Sequence, residues 1–373
     1  MKLSAFKNNS VRRKFLEKEA HISLENIGAV FVDDEDEVHC ENLVGGISVP
    51  LGVAGPVKIA GEYTGGEYYI PLATTEGALV ASVNRGCKAI RESGGARVFS
   101  YSVGVTRGPV FDVGSIAGNR KLFRWLKKNE DQIEKVTQAT SKHLMYKKMM
   151  IKSTGSYVFI RFYFDTDDAM GMNMATIATE AAVKLIEKET GFTCLSVAGN
   201  FDADKKPSWL NFIDNRGKKV WAEVIIPKNV LQKVLKVTAQ ELFDVWLAKC
   251  MIGSAMSGSL GFNAHFSNIV AALYIATGQD PAHVVEGSMG ITTTKVLPNG
   301  DLYASVYLPA VLVGTVGGGT HLKTQKEAVS ILGIKNSLEL AEVLGGAVLA
   351  GEISLLASQA EGSLGKVHKK LGR

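Results

Sequence analysis

The sequence lacks the patterns that mark several common classes of protein. Its four cysteines lie far apart, with no C-x-x-C pair, which argues against a zinc site and against a disulfide framework. The chain contains no G-x-G-x-x-G, Walker A or H-E-x-x-H sequence, so a Rossmann dehydrogenase, a P-loop NTPase and a zinc metalloprotease are disfavoured. Any nucleotide that binds this chain must be held by another scaffold.

Long apolar runs are also missing. Glu352 interrupts the apolar segment 343–357, so no run approaches the roughly 18 uninterrupted apolar residues of a membrane span. The N-terminus is basic but has no apolar signal core. These absences, together with the isolated cysteines, predict a protein of the reducing cytoplasm that has no membrane partner.

What is present is an ordinary globular composition with an uneven charge. The 373 residues are 46% hydrophobic and 21% charged, which suits a chain of about two or three domains. Segment 119–152 carries a net charge of +7, so the remainder carries −2 of the chain's total of +5. Leu122, Leu126, Ile133 and Val136 recur there at helical spacing. The segment is either a solvated amphipathic helix or a phosphate-binding face.

Local sequence patterns divide the chain into regions. Residues 1–40 are charged and helical in pattern, and from residue 41 to 56 Gly, Val and Pro favour strands and tight turns. Thr74 or Thr75 is the expected cap of a helix that ends at the Gly94-Gly95 pair. Between 108 and 197, strand-like and helical runs alternate, which is typical of a small α+β unit.

Three polar or glycine-rich segments are candidates for a site. The turn 204–208, Asp-Lys-Lys-Pro-Ser, is either solvated surface or a place where two ammonium groups hold an anion or an oxyanion. Segment 168–174, Asp-Ala-Met-Gly-Met-Asn-Met, and segment 314–320, with a triple glycine, let backbone N–H groups approach a ligand closely. Taken alone, the methionines of the first segment favour a hydrophobic core, because methionine at helical spacing more often packs in a core than binds a cofactor.

Together these motifs resemble the 3-hydroxy-3-methylglutaryl-CoA (HMG-CoA) reductase family. The resemblance extends from Glu41 to His368 through segments 41–45, 49–56, 74–77, 204–207, 278–280 and 314–320, in that order. The form of segment 168–174 is similar to the class of the family that is found in eukaryotes and archaea. The resemblance implies reduction of a thioester to a primary alcohol by two NADPH, with release of CoA and without a metal.

The resemblance also implies a catalytic set of four residues. Lys205 would stabilise the carbonyl oxygen as negative charge develops, and Glu76 would donate the proton at the aldehyde stage with Asp280 close by. His368 would protonate the departing CoA thiolate. Without the resemblance, the two acids are ordinary first-turn and turn residues and His368 is a solvated histidine.

Substrate and cofactor contacts follow from the same resemblance. The residues expected around the hydroxymethylglutaryl group are Arg107, Asn200, Asp204, Lys206, Lys249, His265 and Asn268. Those expected to meet NADPH are Ser141 and Lys142 at the 2′-phosphate, and Asp168, Met170, Gly171, Met172, Asn173, Val316 and Gly317 along the dinucleotide. Ser141 and Lys142 lie in the +7 segment, so a local charge surplus and a family position agree.

The implied fold is α+β, with a large domain built around a central helix and a small inserted ferredoxin-like domain. The expected division is a helical N-terminal region at 1–44, the large substrate-binding and dimerisation domain at 45–107 and 208–373, the small NADP-binding domain at 108–197, and a connecting catalytic loop at 198–207. The family builds each active site from two chains, so a homodimer or a dimer of dimers is expected, with segment 41–45 at the interface.

Two departures from the family bear on substrate affinity. Ala198 stands where the family commonly has serine, and Asp202-Ala203 replaces a Cys-Thr pair beside the catalytic lysine. Three other functions stay open: oxidation of mevalonate with NAD in the degradative direction, CoA binding by a paralogue without turnover, and nucleic-acid binding by the basic segment. The last is disfavoured because aromatic residues are sparse there.

Overall fold

A computed structural model of the chain describes residues 8–20, 23 and 40–362. It has a mixed α+β architecture with ten strands in one connected sheet, which confirms the predicted class. The strands are β1 (Leu51–Gly61), β2 (Gly65–Ala73), β3 (Ala96–Arg107), β4 (Val110–Asp112), β5 (Met145–Thr154), β6 (Tyr157–Asp165), β7 (Thr193–Ser196), β8 (Arg216–Ile226), β9 (Ile291–Val296) and β10 (Leu302–Val311).

The helices surround this sheet and in part pass through the core. The α-helices are α1 (Asn9–Ala20), α2 (Leu79–Glu92), α3 (Ile116–Lys128), α4 (Glu130–Gln138), α5 (Met172–Thr190), α6 (Trp209–Ile213), α7 (Lys228–Val230), α8 (Ala239–Trp246), α9 (Ser254–Ser257), α10 (Phe266–Ala276), α11 (Val284–Gly287), α12 (Lys323–Leu332) and α13 (Ser337–Glu361). Two π-helical turns, Leu231–Leu235 and Leu247–Gly253, follow α7 and α8. Single 3₁₀ turns precede α11 and α12.

Strand β3 connects the two halves of the sheet. Its first part pairs in parallel with β1 and antiparallel with β8, and its last three residues pair antiparallel with β6. Along β8 buried and exposed positions alternate, as expected for a strand with one face on a core. Strands β8, β10 and β9 then continue the antiparallel sheet.

The strands β4 to β7 form the other half around β6. Strand β6 pairs with β4 on one side and β5 on the other, and β7 pairs with the outer edge of β4, all antiparallel. The spatial order is therefore β7-β4-β6-β5. Helices α3, α4 and α5 supply buried residues to a hydrophobic cluster that belongs to this half.

Helix α13 is the centre of the larger hydrophobic cluster. Of the part of the chain that the structure describes, it is the single helix with the length and apolar composition of a membrane span, and 94% of its apolar window lies inside the protein. The core helix of a globular fold meets the same criterion. Glu352, which was expected to interrupt this apolar segment, is a helical residue and is fully buried.

Three local predictions need correction. The helix expected from Thr74 or Thr75 begins at Leu79, because the Thr74 hydroxyl accepts the Glu76 N–H at 3.0 Å and makes a turn instead of a cap. The strand expected from residue 41 begins only at Leu51. The basic segment 119–152 contains two helices, which meet at Asn129, and most of strand β5.

The other predicted elements have the expected type. Strands β4 to β7 and helices α3 to α5 are the alternating strands and helices that were expected between 108 and 197. Most of the expected helical N-terminal region lies outside the described residues, apart from α1.

Candidate active site

The loop 198–207 has an unusual backbone. Asn200, Ala203 and Lys205 have positive φ angles of 62°, 55° and 53°, a region that is unfavourable for residues with a β-carbon, and most of all for Ala and Lys. The Asn200 carbonyl accepts a hydrogen bond from the Ala203 N–H at 3.1 Å. A loop held in this conformation by its surroundings is characteristic of a functional site.

Lys205 and Asp280 are in direct contact. The Lys205 Nζ lies 2.7 Å from Asp280 Oδ2, and each side chain is about one-third exposed, at 38% and 34%. Asp280 begins a 3₁₀ turn, where its Oδ1 accepts the Ala282 N–H at 3.0 Å. The side chain is therefore fixed by the turn while its other oxygen faces the lysine.

The environment of Asp280 favours its charged form. Burial acts to raise the pKa of this carboxyl, but the hydrogen bond from Lys205, the Ala282 N–H and the charges of His283 and Lys205 outweigh it, so the net shift is downward. The pair thus places the Lys205 ammonium beside a carboxylate, and both side chains remain partly exposed. Such a pair can present a fixed positive charge to a developing oxyanion.

A second group of charges lies behind this pair. Asp204 bonds to Arg216 Nη2 at 2.7 Å and lies 3.5 Å from Arg107 Nη1. Arg107 also lies 3.4 Å from Asp202 Oδ2, and its Nε and Nη2 both donate to the Thr176 hydroxyl. Two of the predicted substrate-binding residues, Arg107 and Asp204, are therefore held in one network.

Of the two aspartates that contact Arg107, Asp202 is more deeply buried than Asp204. It is 1% exposed, and burial raises its pKa more than the charges of Arg107 and Arg216 lower it. Asp202, which departs from the family pattern, thus forms an ion pair with Arg107. The resemblance assigns the Arg107 guanidinium to the substrate.

The sequence did not point to three buried members of the network, which are Arg216, Glu286 and His283. Each is fully buried. Glu286 Oε1 bonds to Arg216 Nη1, accepts from His283 Nδ1 at 2.8 Å, and accepts the backbone N–H of Lys205 at 3.3 Å. One carboxylate oxygen therefore fixes the backbone of Lys205. The spacing of His283 and Glu286, three and six residues after Asp280, was the signal available in the sequence.

Asp204, His283 and Glu286 are also the described residues best arranged to hold a metal ion. Their ligand atoms lie within 4.8 Å of one another. The Arg216 guanidinium, however, already bonds to both Asp204 and Glu286. It therefore supplies these carboxylates with the positive charge that a metal ion would bring.

Glu76 and Asn268 form a separate polar contact, in which Asn268 Nδ2 donates to Glu76 Oε2 at 2.6 Å. The backbone N–H of His265, at the start of the same helix α10, donates to Glu352 at 2.7 Å, and its Nε2 is buried without a hydrogen-bond partner. No hydrogen bond or ion pair joins this group directly to Lys205 within residues 40–362. Lys249 lies half-buried in a π-helical turn, and Lys206 is exposed.

A cavity of about 590 Å³ adjoins Asp280. Its lining includes most of the residues predicted to bind the dinucleotide, which are Met170, Gly171, Met172, Asn173, Val316 and Gly317. The volume lies within the range of small-molecule and cofactor sites, roughly 300–1,000 Å³. The structure thus brings one predicted catalytic residue and six predicted cofactor residues to the same cavity.

The loops around the cavity are held together by contacts that only glycine permits. A β-carbon at Gly278 would lie 2.3 Å from the Gly319 carbonyl oxygen, and one at Gly314 would lie 2.4 Å from the Met170 nitrogen. The Gln279 amide exchanges two hydrogen bonds with Gly314, at 3.0 and 2.9 Å. The Asp280 turn and both candidate nucleotide loops therefore form one backbone-lined wall, which suits a phosphate-bearing ligand.

The remaining predicted cofactor residues lie at or beyond the edge of this wall. The Ser141 hydroxyl contacts Met174, which lines the cavity, at 3.6 Å, and Lys142 beside it is exposed. The Asp168 carboxylate instead accepts the Ser337 N–H at 2.8 Å, at the start of α13, and lines a smaller cavity. His368 lies outside the described residues.

Comparison with known proteins identifies the family. A sequence profile described as hydroxymethylglutaryl-coenzyme A reductase matches residues 8–373. The chain belongs to this family. The curated 3-hydroxy-3-methylglutaryl-coenzyme A reductase of Methanocaldococcus jannaschii is 49% identical over 374 residues, 97% of this chain and 92% of that protein. That of Methanothermobacter thermautotrophicus is 46% identical over 369 residues, 97% and 93% of the two chains.

The fold of the family is also recognisable in a distant solved structure. The class II 3-hydroxy-3-methylglutaryl-CoA reductase of Streptococcus pneumoniae, described as bound to NADPH in open conformations, is 20% identical. It superposes with a TM-score of 0.71 over 95% of this chain and 97% of that one. The higher identity with archaeal members agrees with the class indicated by segment 168–174.

Proposed function

We propose that the chain reduces HMG-CoA to mevalonate and free CoA, with two NADPH as hydride donors. The observation that carries the proposal is the Lys205–Asp280 pair, whose carboxylate lines the same cavity as the predicted nucleotide loops. The two hydrides and two protons convert the thioester into a primary alcohol and a thiol. The residues of this chain must therefore bind, orient and exchange protons with the substrate.

Lys205 has the geometry for the substrate oxygen. Its ammonium is partly exposed, its backbone is fixed by Glu286, and its neighbour Asp280 orients it. A preorganised cation at a developing oxyanion contributes about 10²–10³ in rate. In this proposal Glu76 donates the proton at the aldehyde stage and His368 protonates the thiolate. The bond from Asn268 supports a fixed orientation of the Glu76 carboxylate.

The charged network supports a role in binding the substrate's own carboxylate. Arg107 and Asp204 lie in one network next to Lys205, and Lys206 follows it in the chain. We assign these residues, with Asn200, Lys249, His265 and Asn268, to the hydroxymethylglutaryl group. A guanidinium that binds a carboxylate in bidentate fashion gives orientation as well as affinity.

The cofactor assignment depends on the basic segment. Ser141 and Lys142 stand beside Met174 at the edge of the cavity, where a cation and a hydroxyl would receive the 2′-phosphate. NADH lacks this phosphate, so with NADH neither Ser141 nor Lys142 would have this partner. Comparing initial rates with NADPH and NADH, in wild type and in Lys142→Ala, tests the preference. A variant as selective as wild type would contradict the assignment.

We further propose the division into domains given by the sequence. The strand order β7-β4-β6-β5, with helices between β4 and β5 and between β6 and β7, is that of a ferredoxin-like unit. It supports residues 108–197 as the small NADP-binding domain. Residues 45–107 and 208–373 would then be the large domain, and 198–207 the connecting loop.

A homodimer, or a dimer of dimers, in the cytoplasm completes the proposal. The predicted interface segment 41–45 forms no strand in the single chain, and Leu43 is buried within that chain. Dilution below the dimer dissociation constant should abolish activity if two chains build the site. Full activity of a demonstrated monomer would contradict this part.

The central experiment follows the absorbance of NADPH in the presence of HMG-CoA. Lys205→Ala should lower kcat by about 10²–10³ while leaving the thermal midpoint unchanged. Lys184→Ala, which changes an exposed lysine on α5, is the matched control and should leave kcat unchanged. A CoA-binding paralogue without turnover would oxidise no NADPH even as wild type, and a degradative enzyme would favour mevalonate with NAD.

A further inference from the structure

The carboxylate of Asp280 has two basic neighbours. Its Oδ2 lies 2.7 Å from Lys205 Nζ and 3.9 Å from His283 Nε2. The His283 ring is fully buried, and Nε2 has no hydrogen-bond partner. A buried polar atom without a partner is unfavourable unless something compensates for it. The acidic atom that Nε2 faces is Asp280 Oδ2.

The other ring nitrogen is fixed. Nδ1 lies 2.8 Å from Glu286 Oε1, which also bonds to Arg216 Nη1 and to the Lys205 N–H. A carboxylate that already faces a guanidinium is ionised and can only accept hydrogen bonds, so Nδ1 carries a hydrogen. The charge of the ring can therefore change only at Nε2, the atom that faces Asp280.

The surroundings of the ring keep solvent away and hold few other charges. Asp204 lies 3.9 Å from Nδ1 and Arg216 lies beyond Glu286. From helix α10, the fully buried Tyr274 is near enough to Glu286 that burial and the charge of Glu286 together raise the pKa of its hydroxyl. Lys205 and Asp280 complete the set. The Nε2 atom therefore faces the Lys205–Asp280 pair and is shielded from bulk water.

We propose that His283 is a positioning residue that acts through Asp280. With Nε2 protonated, the ring stabilises Asp280 as a carboxylate and so holds the ammonium of Lys205 towards the substrate oxygen. With Nε2 neutral, its lone pair faces the carboxylate and favours a proton on Asp280. When the charge of the His283 ring changes during turnover, the charge of the Lys205–Asp280 pair therefore changes with it. This inference rests on the proposed function of Lys205 and Asp280.

Two variants separate the two nitrogens. In His283→Asn the amide can replace Nδ1 and keep the bond to Glu286, but nothing replaces Nε2. In His283→Gln the longer side chain brings an amide close to the position of Nε2 and gives up the bond to Glu286. Both change volume and charge in the same sense, so each is the control for the other.

We expect His283→Asn to lower kcat about tenfold, with the KM for HMG-CoA within about twofold of wild type. We also expect its kcat to lose one ionisation from the pH profile of the wild type. His283→Gln should retain more of kcat, because an amide still reaches Asp280. The measurements are kcat and KM across pH, with the thermal midpoint of each variant.

Three results would overturn the proposal. One is a wild-type kcat and pH profile in His283→Asn. Another is an equal loss in both variants that follows their thermal midpoints, which would mean that the ring only fills space. If neither variant folds, spectra of wild type with isotope-labelled histidine decide, and a ring that keeps one charge state wherever kcat changes contradicts the proposal. Failure of wild type to reduce HMG-CoA would instead refute the proposed function.

Discussion

Buried acids occur in two regions of this molecule and are satisfied in different ways. In the core, Glu342 on α13 accepts from the backbone N–H groups of Glu62, Tyr63 and Thr64, and from the Thr64 hydroxyl. Glu352 accepts from two backbone N–H groups and the Thr292 hydroxyl. These carboxylates have partners that carry no charge and cannot be replaced by a ligand.

At the junction between the two halves of the sheet, acids share cations instead. Glu286 and Asp204 divide Arg216 between them, and Asp202 and Asp204 divide Arg107. Glu286 Oε2 and His283 Nε2 are left without hydrogen-bond partners. Full satisfaction by uncharged donors indicates a structural acid, whereas shared cations and unpaired buried atoms are typical of a functional site.

The largest expected effect is on stability and concerns a buried acid of the core. Glu342→Ala removes the acceptor of four donors and should lower the free energy of unfolding by about 3 kcal/mol. The kcat of the folded fraction should be unchanged. Denaturant unfolding and kcat per folded molecule check both. A loss of kcat larger than the loss of folded protein would show that this acid is not merely structural.

The next effect falls on activity. Asp204→Asn weakens the contacts with Arg216 at 2.7 Å and Arg107 at 3.5 Å, and we expect kcat/KM to fall about tenfold, a change of about 1.4 kcal/mol. The unfolding midpoint should move less than in Glu342→Ala, because Arg216 keeps Glu286. Steady-state kinetics beside denaturant unfolding give the two numbers, and a larger effect on stability than on kcat/KM would contradict the distinction.

The smallest effect concerns Asp202 and has the opposite sign. Asp202→Asn removes one of two carboxylates that compete for Arg107, so the KM for HMG-CoA should fall by about threefold. In wild type, lowering the pH through the raised pKa of Asp202 should bring KM towards that of the variant. A KM that rises in the variant would mean that Asp202 helps to hold the substrate.

The same residue gives a prediction for stability. Because burial raises the pKa of Asp202 above that of the unfolded chain, the folded state binds the proton more tightly. Its contribution to stability is full at low pH and is lost as the pH rises through the raised pKa. Unfolding free energies of wild type and Asp202→Asn, measured between acidic and neutral pH, should therefore differ in slope.

The sequence was sufficient for the parts of the site that motifs mark. Lys205 and Asp280 were predicted as members of one catalytic set and lie 2.7 Å apart, and segments 168–174 and 314–320 both contribute to one cavity with Asp280. The roles of these residues stay predictions. Family motifs preserve such groups because their chemistry depends on residue type, so a linear pattern is enough to find them.

Buried ionic partners left no comparable pattern. Arg216 meets Glu286 across 70 positions in sequence, and a lone arginine at the start of a strand resembles any other. The start of α2 was missed for a local reason, since the Thr74 hydroxyl formed a turn instead of a cap. The strands and helices with clear periodicity were predicted because their burial follows the residue pattern, whereas a long-range charge network follows only from the fold.

Helix α13 has a mechanical consequence. The Asp168 carboxylate, in segment 168–174, accepts a hydrogen bond from the first N–H of this helix. The helix ends 25 residues later at Gly362, and His368 follows in the sequence. A helix of this length spans about 37 Å and is clamped along its length by Glu342 and Glu352. The helix is therefore a rigid connection between the Asp168 turn and the point at which the chain continues to the C-terminal segment.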